Sequence, residues 1–285
     1  MYAIFTAIGR RRPRPYNCRN ILNTRSLNVT YTYVIVGGGL AGASAIEGIR
    51  AIDKQGSILL ISGENHLPPY HRPPLSKQLW TGKKKVQDIF IKDRSYYDTN
   101  GVTLEIGIKV DRIDAQNKKA FTVDGKEYGF EKLLLATGGK PRRLSIPGGD
   151  LNEIVYYRTL DDFQKLKSQI AEFKTALVIG GGFIGSEIAA ALSMQGIQVT
   201  MLFPEDYLCS NIFPSALGHA LGDQFQHRRV RIAAHDKPRS IEKSNGSHRV
   251  HTENGEVIMA DMIVAGIGIG PETGIARGAG LQIEN

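Results

Sequence analysis

The sequence is short of the residues that build disulfide frameworks and metal sites. Its 285 residues include only two cysteines, Cys18 and Cys209, which lie far apart and form no Cys-x-x-Cys pair. The seven histidines are scattered, without the spacing of a zinc site or a catalytic triad. The sequence therefore indicates neither a disulfide framework nor a metal site, and it suits a compartment that is reducing or indifferent to thiols.

The chain also lacks long apolar runs, so no transmembrane segment is expected. Acidic residues are missing from its first part, because the first is Glu47, whereas residues 1–30 hold six arginines. The other 30 of the 36 lysines and arginines balance 28 acidic residues, so no nucleic-acid partner is expected. This arginine-rich tail is typical of a mitochondrial transit peptide. A disordered extension, a wrongly assigned start and a cytoplasmic location remain alternatives.

Glycine, in contrast, is abundant and concentrated in two turns of the same design. The turns, at residues 37–42 and 180–185, each follow an apolar run and open a predicted helix, and Glu64 or Glu205 ends the next apolar run. This Gly-x-Gly-x-x-Gly fingerprint allows a tight turn, close approach of a pyrophosphate and a carboxylate for a ribose hydroxyl. Two copies predict two dinucleotides and electron transfer between them. The glycines assigned to these sites are Gly37, Gly39, Gly42, Gly180, Gly182 and Gly185.

Predicted strands and helices alternate from residue 31 onward, which is typical of an α/β fold with parallel sheets. We expect two Rossmann-like dinucleotide-binding modules, each followed by an antiparallel meander. The first meander is expected to contain strands at 102–106, 110–114 and 119–123, and the second to turn near residues 245–246 and 254–255. A proline-rich segment at residues 67–77 cannot form the interior of a helix and predicts a semi-rigid arm.

Four motifs in a fixed order carry a family resemblance. They are the first glycine turn, Arg-Pro-Pro-Leu-Ser-Lys at residues 72–77, Ala-Thr-Gly-Gly at 136–139 and Gly-Gly-Gly-Phe-Ile-Gly-Ser-Glu at 180–187. Over residues 31–285 the chain resembles the FAD-dependent pyridine nucleotide reductases, the group that includes apoptosis-inducing factor and the ferredoxin, rubredoxin and monodehydroascorbate reductases.

That resemblance implies a domain organisation and an activity. It implies a tail at residues 1–30, an FAD-binding domain at 31–146, an NAD(H)-binding domain at 147–270 and, at 271–285, the start of a segment that returns to the FAD domain. A hydride would pass from NADH to flavin, and the electrons would then pass to an acceptor. Whether this acceptor is a small molecule, a quinone or a redox protein is left open.

The resemblance also assigns roles to single residues. Lys77 would lie near the reactive edge of the flavin and pair with Glu187, while Phe183 would shield the flavin until nicotinamide displaces it. Glu64 would bind the ribose of FAD. Glu205 would bind that of NADH and repel the 2′-phosphate of NADPH. The other residues assigned to FAD are Arg72, Thr137, Gly138 and Arg142.

Two departures from the family carry expectations of their own. The helix after the first turn has Ser44 and Ala45 in place of the redox cysteines of disulfide reductases, so no dithiol relay is expected. The chain ends at Asn285, before the family's Gly-Asp strand and dimerisation domain. A truncated chain would bind FAD weakly, expose the strand edge at 133–136 and dimerise only in a longer version. A catalytically incomplete module that binds nucleotides or partners is therefore the alternative function.

Overall fold

The computed structural model describes residues 29–65 and 68–284, and it places them in two halves that each contain a parallel sheet. The predicted transit peptide falls almost wholly outside the described residues. The helices are α1 (Leu40–Ile52), α2 (Arg94–Thr99), α3 (Leu160–Gln169), α4 (Phe183–Met194), α5 (Ser215–His227) and α6 (Gly274–Gly278). The strands are β1 (Val29–Val36), β2 (Ile58–Ser62), β3 (Val102–Ile106), β4 (Val110–Asp114), β5 (Lys119–Thr122), β6 (Glu127–Leu135), β7 (Gly139–Pro141), β8 (Val155–Tyr156), β9 (Thr175–Ile179), β10 (Gln198–Leu202), β11 (Arg231–Ala233), β12 (Pro238–Ser244), β13 (Ser247–Thr252), β14 (Val257–Ala260), β15 (Met262–Ala265) and β16 (Ile269–Pro271).

The first half is built on a six-stranded sheet in the order β3-β2-β1-β6-β5-β4. Strands β3, β2, β1 and β6 run parallel. Strand β5 pairs antiparallel with β6, and β4 pairs antiparallel with β5. The strand at 102–106 was wrongly expected in the meander. It follows α2, and such a helical crossover returns the chain parallel to β2, with Ile58 opposite Val102.

The second half repeats the parallel arrangement in a five-stranded sheet, β11-β10-β9-β15-β8. A separate antiparallel sheet, β12-β13-β14, forms the predicted meander. Strand β9 is central and almost entirely buried, as expected for a parallel strand covered on both faces. Its carboxyl end points to the glycine turn at 180–185, just as β1 leads into the turn at 37–42. The predicted α/β class with two Rossmann-like modules is confirmed.

The proline-rich arm joins the core of the second half. Its Pro73–Ser76 segment is a 3₁₀ turn, which proline permits where a long helix would fail. Leu75 of the arm and Trp80, which follows it closely, are buried in the same cluster as Leu160 and Ile188 of the second half. The Trp80 ring also meets Phe163 edge-on, with 5.3 Å between centroids. The arm therefore ties the two halves together through apolar packing.

The segments after the last parallel strand of each half also meet. Strands β7 and β16 pair antiparallel, and the Thr137 hydroxyl donates to the carbonyl of Glu272 at 2.8 Å. Beyond them, Ile275 of α6 packs against the core of the first half. The two similar strand-then-glycine endings seen in the sequence are thus paired with each other in the fold.

Helix α5 was not expected from the sequence. Two glycines, Gly218 and Gly222, lie inside it and weaken the helical signal. The fold uses the first of them for packing, since a Cβ on Gly218 would lie 2.1 Å from the Tyr207 ring. Only the tertiary contact reveals why glycine stands there.

Candidate functional site

The first glycine turn forms an open cradle at the start of α1. Gly37 has a left-handed φ of +126°, and a Cβ there would lie 2.0 Å from the carbonyl oxygen of Ala136. A Cβ on Gly42 would likewise lie 2.0 Å from the carbonyl oxygen of Gly37, so this glycine lets the helix sit on the strand. Gly39 caps the helix, and within the described residues a Cβ on it would meet no atom closer than 4 Å. The free N–H groups of the first helical turn face this open space, which suits a phosphate.

The second turn repeats this geometry at the start of α4. Gly180 has a φ of +112°, and its Cβ would approach the carbonyl oxygen of Gly266 to 2.5 Å. A Cβ on Gly185 would lie 2.0 Å from the oxygen of Gly180. Gly182 caps α4, and among the described residues a Cβ on it would meet open space. Both turns therefore fit a pyrophosphate in the same way.

Glu64 follows β2, but its carboxylate is already engaged by the arm. One oxygen accepts from the Tyr70 hydroxyl and the other pairs with the Arg72 guanidinium. The same guanidinium donates to the carbonyl of Arg158 at 3.1 Å, and the amide of Leu160 donates to the Tyr70 hydroxyl at 2.9 Å. Glu64 and Arg72 thus link the first sheet to the second half, and Glu64 has fewer free lone pairs for a ribose than its position suggested.

Lys77 and Glu187 come together where the arm crosses α4. The Lys77 ammonium lies 2.7 Å from one carboxylate oxygen of Glu187, and the buried Ser76 hydroxyl donates to the other. The side chains remain 44% and 24% exposed, so the pair stays accessible. It lines a cavity of about 340 Å³ whose apolar wall includes Trp80 and Met194. The structure therefore brings together two residues that are 110 positions apart in the sequence.

Phe183 lies at the first position of α4 with half of its surface exposed. Its ring meets Phe213 edge-on, with 5.7 Å between centroids. It lies one helical turn before Glu187, at the wall of a second, larger cavity. Phe183 is therefore a half-exposed aromatic residue at the wall of this cavity.

That larger cavity, of about 860 Å³, lies in front of the second turn. The backbone of residues 180–182 forms one wall, and Glu205 lines it after β10. Arg142 lines the same cavity, and its amide donates to Gly268 at 2.9 Å, so it faces the second turn instead of the first. Clefts of this size, with a few charged groups among apolar ones, are typical small-ligand sites. The cavity fits a nicotinamide dinucleotide.

Thr137 and Gly138 lie at the carboxyl end of β6, beside the first turn. Gly138 has a φ of +68° and accepts a hydrogen bond from the amide of Glu272. A Cβ on Gly138 would lie 3.6 Å from the Arg158 guanidinium. The two predicted residues thus lie between the first sheet and the larger cavity.

Arg158 is a functional candidate that the sequence analysis missed. It lines the larger cavity, and within the described residues its guanidinium has no hydrogen-bond partner. Burial, followed by the positive charge of Arg72, lowers the pKa of Arg158 from its usual value. A half-buried arginine that forms no ion pair within the described residues is suited to an anionic ligand. The signal in the sequence was its place just before the capped helix α3, but only the fold brings it beside Gly138.

Within residues 29–65 and 68–284, no three acidic, histidine or cysteine side chains are placed to hold a metal ion. None of the helices described between Val29 and Glu284 has the length and apolar character that a bilayer crossing requires.

Comparison with known proteins agrees with the fold. A family model described as pyridine nucleotide-disulphide oxidoreductase matches residues 31–285. Rubredoxin-NAD(+) reductase of Pseudomonas putida is 34% identical over 253 residues, which cover 88% of this chain and 66% of that protein. Apoptosis-inducing factor 1, mitochondrial, of Dictyostelium discoideum is 32% identical over 275 residues, which cover 89% of this chain and 52% of that protein.

A solved structure gives the same result. The crystal structure of the covalent putidaredoxin reductase–putidaredoxin complex matches with a TM-score of 0.83 and 30% identity, over 90% of this chain and 63% of that one. The chain spans between about half and two thirds of the length of these three relatives. Because the family model covers both glycine turns and the arm between them, the chain belongs to the pyridine nucleotide-disulphide oxidoreductase family.

Proposed function

We propose that the chain is an FAD-dependent oxidoreductase that uses NADH and delivers electrons to a redox protein. Two phosphate cradles of the same geometry support two dinucleotides, one for each half. When bound, FAD would supply the ability to accept a hydride and to release its electrons to a second partner. The names of the relatives, which include a rubredoxin reductase and a complex with putidaredoxin, support a small redox protein as the acceptor.

The residues that would hold the cofactors divide between the halves. Gly37, Gly39 and Gly42 would hold the pyrophosphate of FAD, with Thr137 and Gly138 beside it. In the second half, Gly180, Gly182 and Gly185 would hold the pyrophosphate of NADH, and Glu205 its ribose. Arg158, between the two sites, would neutralise an anionic group of either cofactor. We propose domain boundaries at residues 31, 147 and 271. The buried side chains of the arm pack in the core of the second domain.

One contact carries this proposal above the others. The ion pair between Lys77 and Glu187 joins the arm to the helix that begins at the second cradle. An ammonium held there stabilises negative charge that develops nearby, and the carboxylate keeps it oriented. Phe183, one turn earlier on the same helix, would cover the site and keep water out between turnovers.

The test removes the Lys77 ammonium and leaves both glycine turns unchanged. Lys77→Ala should slow anaerobic reduction of the bound flavin by NADH at least about tenfold in stopped flow. The flavin content should stay at the wild-type level. Lys84→Ala, an exposed lysine of the same loop, is the control and should react at the wild-type rate. Equal rates for Lys77→Ala and wild type would assign Lys77 a structural role only.

A nucleotide-binding module without catalysis is the second candidate, supported by the engagement of Glu64 with Tyr70 and Arg72. An absorption spectrum of the purified chain separates the two. Flavin bands that bleach on addition of NADH support the oxidoreductase, whereas a colourless protein that still binds NADH supports the module.

We also propose that residues 1–30 direct the protein to mitochondria. Their six arginines without an acidic residue support this, as does the mitochondrial name of the Dictyostelium relative. A fluorescent protein fused to residues 1–30 should enter mitochondria, and the same fusion with the arginines changed to glutamine should stay outside. A diffuse cytoplasmic signal from the first fusion would contradict the proposal.

A further inference from the structure

A pair of histidines holds the acidic residue next to Glu205. Asp206 lies between two imidazoles, with His235 Nε2 at 3.0 Å from one carboxylate oxygen and His219 Nε2 at 3.6 Å from the other. His219 comes from α5 and His235 follows β11, so two separate elements converge on the end of β10. We call Asp206, His219 and His235 the histidine clasp.

The clasp lies directly beside the proposed ribose site. The amide of His235 donates to the carbonyl of Glu205 at 3.2 Å, and its own carbonyl accepts from the Asn254 side chain at 3.1 Å. Strands β10 and β11 are parallel neighbours, so their carboxyl ends reach the same edge of the sheet. A group attached to the 2′ position of a ribose bound by Glu205 would therefore approach the clasp.

We propose that His219 and His235 are specificity-determining residues for that 2′ position, and that they make discrimination between NADH and NADPH depend on pH. This inference rests on the proposed nucleotide site. An imidazole is the side chain that changes charge between pH 5 and 8. With both rings neutral, Glu205 and Asp206 present two negative charges to a 2′-phosphate. With both rings protonated, the clasp offsets these charges, so a 2′-phosphate is tolerated at low pH.

The charged groups around the clasp do not cancel this change. On the sheet side, Asp236 and Lys237 follow His235, and Lys237 lines the cavity while it pairs with Glu253 of the β13–β14 turn at 3.1 Å. On the helix side, Asp223 lies one turn beyond His219, whose ring packs against Tyr207. The usual pKa values of carboxyl, ammonium and phenol groups lie outside the range from pH 6 to 8.

The test measures binding, not turnover. The probes are 5′-AMP and 2′,5′-ADP, which differ only by the 2′-phosphate, and their affinities are compared by calorimetry at pH 6 and pH 8. A unit charge near a surface phosphate changes affinity by roughly threefold at physiological salt. We expect the preference for 5′-AMP to fall about fivefold more on acidification in wild type than in His219→Gln/His235→Gln. The double variant also corrects for the titration of the 2′-phosphate itself.

The control is His227→Gln, because His227 is exposed on the last turn of the same helix. It should keep the wild-type pH dependence. If 5′-AMP binds but wild type and the double variant show the same dependence on pH, the inference is overturned while the nucleotide site stands. If 5′-AMP does not bind wild type at either pH, the proposed nucleotide site is overturned and the inference falls with it.

Discussion

Residues of the same type at equivalent positions have different tasks in the two halves. Glu64 and Glu205 both follow the second strand of a glycine-turn unit. Glu64 is held by Tyr70 and Arg72, whereas Glu205 lines the larger cavity. The Glu64 carboxylate therefore stabilises the contact between the halves, whatever ligand it also binds. Substitution of Glu205 is the clearer test of a ribose contact.

Changing Glu205→Ala should reduce the preference for NADH over NADPH. A carboxylate that accepts from ribose hydroxyls and repels a 2′-phosphate contributes on the order of tenfold to that preference. The ratio of kcat/KM values for the two nucleotides, measured at pH 8, should fall by about this factor. Glu242→Ala, on β12, serves as the control. A ratio that does not change would remove Glu205 from the ribose site.

Cys209 is expected to be unreactive in the folded protein. Its thiol is buried beside the Ser186 hydroxyl, and burial raises the pKa of the thiol. Since only the thiolate is nucleophilic, iodoacetamide at pH 7.5 should label Cys209 at least about tenfold more slowly in native than in denatured protein. The experiment uses a Cys18→Ser background, so that Cys209 is the one remaining thiol. Equal rates in both states would contradict the burial.

In each glycine turn, one glycine is required for close packing of the helix and another leaves space for a ligand. In the first turn, Gly42 touches the backbone of Gly37, while Gly39 faces open space. A methyl group added at Gly42 should therefore destabilise the fold, whereas one added at Gly39 should interfere with the ligand. The same division recurs between Gly185 and Gly182 in the second turn.

The matched variants are Gly42→Ala and Gly39→Ala. Gly42→Ala forces a Cβ to within 2.0 Å of a backbone oxygen and should lower the free energy of unfolding by about 1–3 kcal/mol. Gly39→Ala should leave the unfolding midpoint of the FAD-free protein unchanged, yet reduce the FAD retained after gel filtration. Full FAD retention by Gly39→Ala would show that no phosphate approaches α1 there.

In the whole molecule, the two halves are held by the arm. The Tyr157 hydroxyl of the second half donates to the carbonyl of Leu75 at 2.5 Å and accepts from the Trp80 indole at 3.2 Å. All three groups are buried. A change in this contact therefore indicates a change in how the arm packs against the second half.

Tyr157→Phe should loosen this contact. It leaves the buried Trp80 N–H without its acceptor, which costs about 1–2 kcal/mol in the free energy of unfolding. Trp80 is the only tryptophan of the chain. Its fluorescence therefore monitors urea unfolding, and its emission in the native state reports the environment of the indole ring. Tyr156→Phe is the control. Its hydroxyl bonds only to Leu144 and Gly149 of its own region among the described residues, so it should not change native Trp80 emission.

Local patterns in the sequence were sufficient for much of the fold. The strand–glycine–helix units, the alternation around them and the proline arm all follow from backbone sterics and hydrophobic periodicity. The helix predicted to open at the first glycine turn is α1, which begins at Leu40 in the structure. The pairing of Lys77 with Glu187 was reached through the family resemblance, and the structure brings the two side chains together.

Contacts between distant segments were decided only by the tertiary structure. Nothing local to the sequence reveals that β3 joins the parallel edge, that Trp80 is buried by the second half or that Arg158 faces Gly138. The histidine clasp likewise assembles from a strand end, a helix and a loop. The physical reason is that a glycine or proline restricts its own backbone dihedrals, whereas packing and charge depend on neighbours that the fold supplies from far along the chain.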